Sequence, residues 1–263
     1  MHRLLITLLA AVSLLTAFVA AACAAPRTPP STPAYPNWTG FYVGGLAGGA
    51  WGTYDTSTST AEVPGGEFSP PAITGFNAAG PQSFKPASFI GGLEAGYNWQ
   101  AGSYLAGIEG DIEWLHLSGS ATSGSLPIVG TPGTSFTVTS SADIDWLATA
   151  RGRIGFTTGN WLFYATGGAA FTTLHGNFEF SETLSPSAET ASVSGSKTGY
   201  TVGGGVETYV WQHWSVKAEY LFVDFGNVSA SGVDTGVAPP PYFFTHSVDL
   251  KLNIARLGLN YHF

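Results

Sequence analysis

Between residues 103 and 116 the chain changes character at every second position. Leu105, Glu109, Asp111 and Glu113 share one side of an extended chain, while Ala106, Ile108, Ile112 and Trp114 share the other. Successive side chains of a β-strand point to opposite faces, and no helical period gives this separation. The pattern recurs. In 213–227, Lys217 and Glu219 oppose Val216, Ala218, Tyr220 and Phe222, and Glu94 and Asn98 oppose Leu93, Ala95, Tyr97 and Trp99. In 141–156, Asp143, Asp145, Arg151 and Arg153 are expected to oppose Ile144, Trp146, Ala148, Ala150, Ile154 and Phe156. The charges of each strand therefore collect on one surface, and a one-residue slip would move them all to the other.

Eight such stretches are expected, near 40–52, 88–100, 103–116, 141–156, 160–174, 198–210, 213–227 and 246–263. Each is long enough to cross a bilayer as a tilted strand, which takes about 9–11 residues. Ala101-Gly102, Thr157-Thr158-Gly159 and Trp211-Gln212 read as tight hairpin turns, whereas 53–87, 117–140, 175–197 and 228–245 are long and rich in Ser, Thr, Gly and Pro. An even number of strands with short turns at one end and long loops at the other is the pattern of an outer-membrane barrel. The expected fold is all-β: an eight-stranded antiparallel transmembrane β-barrel.

Composition narrows the alternatives. Only 10% of residues are charged, against roughly a quarter in soluble domains. Aromatics at 14% exclude a disordered chain, and 35 glycines disfavour long helices. With Lys plus Arg at 9 and Asp plus Glu at 17, the net charge of −8 speaks against nucleic acid as a partner. The single Cys23 can form neither an internal disulfide nor a four-thiolate zinc site.

The N-terminus supplies an address. His2 and Arg3 precede an apolar run from Leu4 to Ala22 that ends in small residues, as in a secretory signal peptide. The expected division is a signal peptide at 1–24, a Pro-rich linker at 25–36 and the barrel at 37–263. Cleavage after Ala22 or after Ala24 both fit, and lipidation of Cys23 and an uncleaved anchor remain alternatives. An exported chain of this kind has its apolar faces on lipid and its charges in the lumen, the reverse of a soluble barrel.

At the C-terminus, Leu257, Leu259, Tyr261 and Phe263 alternate with Gly258, Asn260 and His262. Higher up, Val248, Leu250, Leu252 and Ile254 oppose Asp249, Lys251 and Asn253. The apolar parity differs between these halves, which predicts a bulge near Ala255. Phe263, a terminal aromatic on an alternating strand, is similar to the signal read by the outer-membrane insertion machinery.

Asn37-Trp38-Thr39-Gly40-Phe41-Tyr42-Val43-Gly44-Gly45 and Trp146-Leu147-Ala148-Thr149-Ala150-Arg151-Gly152-Arg153-Ile154-Gly155 resemble the small outer-membrane β-barrel "porin family" proteins of alphaproteobacteria. The stretches Tyr164–Ala170, Thr201–Glu207 and Trp214–Leu221 share the resemblance, which is dense in the strands and absent from the long loops. It implies a barrel like the OmpA membrane domain, set in the outer membrane, with roles in envelope stability and host contact and, in some members, haemin binding. Pore activity is not implied for every member.

An eight-stranded lumen is just wide enough to be filled by side chains. Glu94, Glu109, Asp111, Glu113, Arg151, Arg153, Lys217 and Glu219 are expected to form a lumen charge network, because a buried unpaired charge is costly. This network reads as a structural plug, with a gate or narrow cation path as the alternative. Trp99, Trp114, Trp146, Trp161, Trp211 and Trp214, with Tyr97 and Tyr164, are expected to face outward as interface belts. The many strand glycines read as sites of close backbone approach, since no helix and Lys follow them to make a phosphate loop.

No catalytic, cofactor-binding or metal residue is expected, and no cofactor. His116, His175 and His246 fall near the loop end and are alternatives for haem or metal, while a lipid-modifying enzyme would need a Ser–His pair at the membrane surface. The expected partners are outer-membrane lipids, the insertion machinery and an extracellular ligand at the loops, with the barrel a monomer.

Overall fold

The computed structural model describes residues 37–184, 187–234 and 240–263, so the expected signal peptide and linker lie outside the described residues. Among the described residues ten strands run in chain order: β1 (Gly40–Thr60), β2 (Gln82–Phe84), β3 (Ala87–Ala101), β4 (Tyr104–Thr122), β5 (Leu126–Pro127), β6 (Ser135–Thr158), β7 (Trp161–Glu182), β8 (Ser187–Tyr209), β9 (Trp214–Asp234) and β10 (Tyr242–His262). A helix, α1 (Pro70–Ala79), lies between β1 and β2. The eight long strands pair antiparallel in the order β1, β3, β4, β6, β7, β8, β9, β10, and β10 returns to β1 from Tyr42↔His262 to Thr60↔Phe244. The sheet is closed, with no edge left among these strands.

Most strands run far beyond the length needed to cross a membrane. Much of what the sequence suggested as long loops is strand, because Ser and Thr on the outer face alternate with buried Val, Leu and Phe on the inner one. Five strands carry outward aromatics ten positions apart: Phe41 and Trp51, Phe89 and Trp99, Tyr104 and Trp114, Trp146 and Phe156, Trp161 and Phe171. At about 3.4 Å per residue and a tilt of 35–45° that interval is roughly 25 Å, the height of the apolar band of an outer-membrane barrel. These pairs mark two girdles. Past the upper one, β7 continues from Phe171 to Glu182, about 25 Å more.

The polarity of the wall inverts at the upper girdle. Below it, Ile108, Ile112, Leu257 and Leu259 point out, while Glu109, Asp111 and Arg256 point in. Above it, Leu115, Leu117, Val248, Leu250, Leu252 and Ile254 are buried inside and Ser118, Ser120, Asp249 and Lys251 face out. Residues 242–262 of β10 keep one parity throughout, with the even-numbered positions inward. The bulge expected near Ala255 is therefore absent. The environment changes there, from lipid outside to water outside, and the backbone does not.

Two bulges lie elsewhere. In β6, Asp145 and Trp146 both face outward and the pairing with β4 shifts beyond Trp114. Ile144 and Leu147 consequently both point inward, and Asp143 and Asp145 stand outside rather than with Arg151 and Arg153. In β9 the register with β10 shifts at Gly226, whose φ of 64° is a left-handed conformation that suits glycine. Its N–H donates to Asp224 Oδ1 at 2.8 Å.

The upper interior is an apolar core, and α1 caps it. Ala72, Ile73 and Phe76 of the helix pack with Phe136, Phe180, Tyr242 and Phe244 of the wall. Phe76 meets Phe136 and Phe180 at centroid distances of 4.7 and 5.0 Å. The helix starts at Ser69-Pro70-Pro71, where fixed φ values suit a first turn. Asn77 ties it to the end of β1, accepting from Thr60 N–H at 2.8 Å and donating to Thr60 O at 3.0 Å. Ten residues between Pro and Gly signals, within a stretch read as loop, left too short a period for the sequence to reveal this helix.

Candidate functional site: a packed charge layer in the lumen

The lower half of the lumen holds the residues singled out from the sequence. Glu94 (β3), Glu109, Asp111 and Glu113 (β4), Arg151 and Arg153 (β6), and Lys217 and Glu219 (β9) are all buried and face one another. Arg151 is the hub: its guanidinium donates to Glu109, to Asp111 at 2.7 Å and to Glu219 at 3.1 Å. Lys217 bridges Glu94 and Glu109, the second at 3.1 Å. Arg153 meets Glu109 at 3.4 Å and Glu207 at 3.2 Å, and stacks over the rings of Tyr42 and Tyr164 at 4.7 and 5.2 Å. Such cation–π contact is strongest where water is excluded.

Sequence reasoning missed several members. Arg256 of β10 meets Asp111 at 3.0 Å, Glu113 at 2.7 Å and also Glu219. Its even-numbered parity with Gly258, Asn260 and His262 was the available signal, obscured by the bulge expected at Ala255. Glu207 receives Ser215 Oγ–H and, at 3.0 Å, Asn260 Nδ2–H. Tyr164, expected in the outer belt, points inward and donates to Glu219 at 2.9 Å. Its even parity on β7 places it among Leu162, Thr166 and Ala170.

Six carboxylates (Glu94, Glu109, Asp111, Glu113, Glu207, Glu219) thus stand against four cations (Arg151, Arg153, Lys217, Arg256). Neutral donors help offset the difference. Tyr42 donates to Glu109, Thr149 to Asp111 at 2.8 Å, and Tyr164, Ser215 and Asn260 donate as above. Inward glycines make room for these large groups. A Cβ at Gly44 would strike the Asn260 side chain, and one at Gly92 would strike the Ile112 carbonyl and Glu113.

The short-turn end is closed by Trp38. Its ring packs on Tyr209 at 4.4 Å and His262 at 5.6 Å, and the Trp38 backbone N–H donates to Gln100 Oε1 at 2.8 Å. The histidines considered for haem or metal do not converge. His246 is buried between Thr58 Oγ1 at 2.9 Å and Glu189 at 3.1 Å, His116 meets Asp145 at 2.7 Å, and His175 meets Ser194 at 2.9 Å. Among the described residues no group of three or more His, Cys, Asp or Glu comes together to hold a metal ion.

A closed eight-strand ring with lipid-type girdles and a charged lumen is the geometry of an outer-membrane barrel, and the sequence comparisons place it. Residues 8–263 match the family described as outer membrane protein beta-barrel domain. The chain belongs to this family. It is 30% identical to the 31 kDa outer-membrane immunogenic protein of Brucella melitensis over 86% of this chain and 84% of that one. It is 29% identical to a 22 kDa outer membrane protein of Rhizobium leguminosarum over 72% of this chain and 65% of that one. Among solved structures, Ail of Yersinia pestis aligns over 83% of this chain and 99% of that one, at 14% identity and a TM-score of 0.33. This family member is a protein of the bacterial outer membrane, consistent with the alphaproteobacterial resemblance of its strand motifs.

Proposed function

We propose that this outer-membrane protein is a closed, non-enzymatic barrel that stabilises the envelope and meets its surroundings through the half above the upper girdle. The observation that carries the reading is the filled lumen. Trp38, the charge layer, the apolar core and α1 follow one another from the short-turn end to the long-loop end, each with buried side chains. Short turns face the periplasm in such barrels and long connections face outward, so the helix-capped half is the extracellular one. The name of the Brucella relative, an immunogenic protein, supports an exposed surface for this chain as well.

Outer-membrane lipids bind the band between the girdles, and a monomer is sufficient because the ring is closed. Phe263, 70% exposed and packed on Phe41 at 5.6 Å, is offered to the insertion machinery as the terminal aromatic. The mature chain then begins after the signal peptide at 1–24, with the Pro-rich 25–36 ahead of the barrel.

The second reading, a narrow cation path, draws on the excess of lumen carboxylates. Single-channel recording separates the two. The refolded barrel in a planar bilayer is expected to show no discrete conductance, with an unboiled gel confirming that it is folded. Regular cation-leaning steps from the folded protein would put the transport reading first.

A further inference from the structure

Above the upper girdle, four adjacent strands line up their outward side chains in three rows. Reading across β4, β6, β7 and β8, the rows are Ser118–Asp143–His175–Ser194, Ser120–Ser141–Asn177–Ser192 and Thr122–Thr139–Glu179–Thr190. All twelve positions are polar, and most are hydroxyls. Strands lie about 4.8 Å apart, so the two upper rows make a regular grid of donors and acceptors. Between β6 and β8 this grid sinks into a groove of about 370 Å³, lined by the polar Thr139, Ser141, Asn177, Glu179, Thr190 and Ser192, with Phe178 and Ala191 between them.

Asn177, Glu179, Thr190 and Ser192 direct their side chains to this groove without hydrogen-bonding any described residue. Their chemistry restricts the occupant. A phosphate or sulfate would meet no cation there and would face the Glu179 carboxylate. An apolar chain would strip water from hydroxyls and an amide and give nothing back. Hydroxyls and a carboxamide each donate and accept, which matches a ligand that itself carries a dense, mixed array of hydroxyls.

We propose that the β6–β8 groove binds a neutral oligosaccharide lying across the strands, with Asn177 and Ser192 as its central hydrogen-bonding pair. The inference deepens the surface-contact reading and rests on the groove facing outward from the cell. The carbohydrate could be the glycan of the outer-leaflet lipid, since Asn177 lies only six positions past Phe171 of the girdle, or a free polysaccharide. The recognition chemistry is the same for both.

The test uses the full barrel in phospholipid nanodiscs, with side-chain amide NMR of Asn177 as the readout. The probes are maltoheptaose, cellohexaose and the delipidated glycan of the bacterium's own outer leaflet. Saturable shifts with the bacterial glycan alone would indicate the membrane source, and shifts with the neutral glucans the free-polysaccharide source. In the variants binding is read by saturation transfer from the protein to the carbohydrate protons: Asn177→Ala with Ser192→Ala is expected to weaken it at least tenfold, while Thr245→Ala, on the outer face of β10 and away from the groove, retains it. If none of the three carbohydrates shifts Asn177 at millimolar concentration, the inference fails. It also fails if the double variant binds normally, or if spermidine binds the wild type instead. Thiol labelling of Ser192→Cys on intact cells separates this failure from that of the surface reading, which predicts labelling whether or not the groove binds sugar.

Discussion

Arg151→Ala is expected to destabilise the barrel by about 3–5 kcal/mol, the range for removing one member of a buried charge network. The side chain is fully buried and serves Glu109, Asp111 and Glu219 together, with Nε also donating to Thr149 at 2.9 Å. Alanine would leave three carboxylates competing for the remaining cations in a site that water does not reach. Heat-dependent gel mobility, which distinguishes folded from unfolded barrel, reads the change as a lower transition temperature. Adding Glu109→Gln should recover part of the loss, because the two groups are coupled and their effects are not additive. A shift no larger than that of a surface substitution would mean that the charge layer is solvated.

Phe76→Ala is expected to cost about 3–5 kcal/mol of local stability, as a large-to-small change in a packed core, and to confine its damage to the upper half. Phe76 sits among Phe68, Phe136 and Phe180, with centroid distances between 4.7 and 5.0 Å. It holds α1 in the mouth but touches nothing in the charge layer. Limited proteolysis should therefore cut the β1–β3 connection much faster in the variant, while the lower barrel keeps its folded gel mobility. Equal cleavage rates would show that the cap does not depend on this contact.

The parts of the fold that the sequence made legible are those where one environment persists along a strand. In β4, Glu109, Asp111 and Glu113 alternate with Ile108 and Ile112 because lumen and lipid face each other across the whole stretch, so both partition and register could be read. The reading broke down where the environment changed. Across Ala255 the apolar set moves from the odd to the even positions, which looks like a register slip but is a passage out of the membrane. A soluble-type wall of Ser and Thr alternating with Val, Leu and Phe looks like loop when only membrane strands are sought. Asp143 and Asp145 were misplaced for a different reason: the bulge at Asp145–Trp146 shifts parity inside β6, and local sequence carries no strong mark of it. Arg256 escapes the sequence reading of the charge layer because of the same parity change in β10.

The two-zone wall is the claim on which the rest depends, and strand β4 crosses the boundary within a few residues. Spin labels placed one at a time at Ile108, Ile112, Ser118 and Ser120, with the barrel in lipid bilayers, report relaxation by oxygen, which concentrates in lipid, and by a water-soluble nickel complex. The account predicts oxygen-dominated relaxation at 108 and 112 and nickel-dominated relaxation at 118 and 120, with the crossover just above Trp114. Oxygen-dominated relaxation at all four positions would place the upper wall in the membrane and contradict the account.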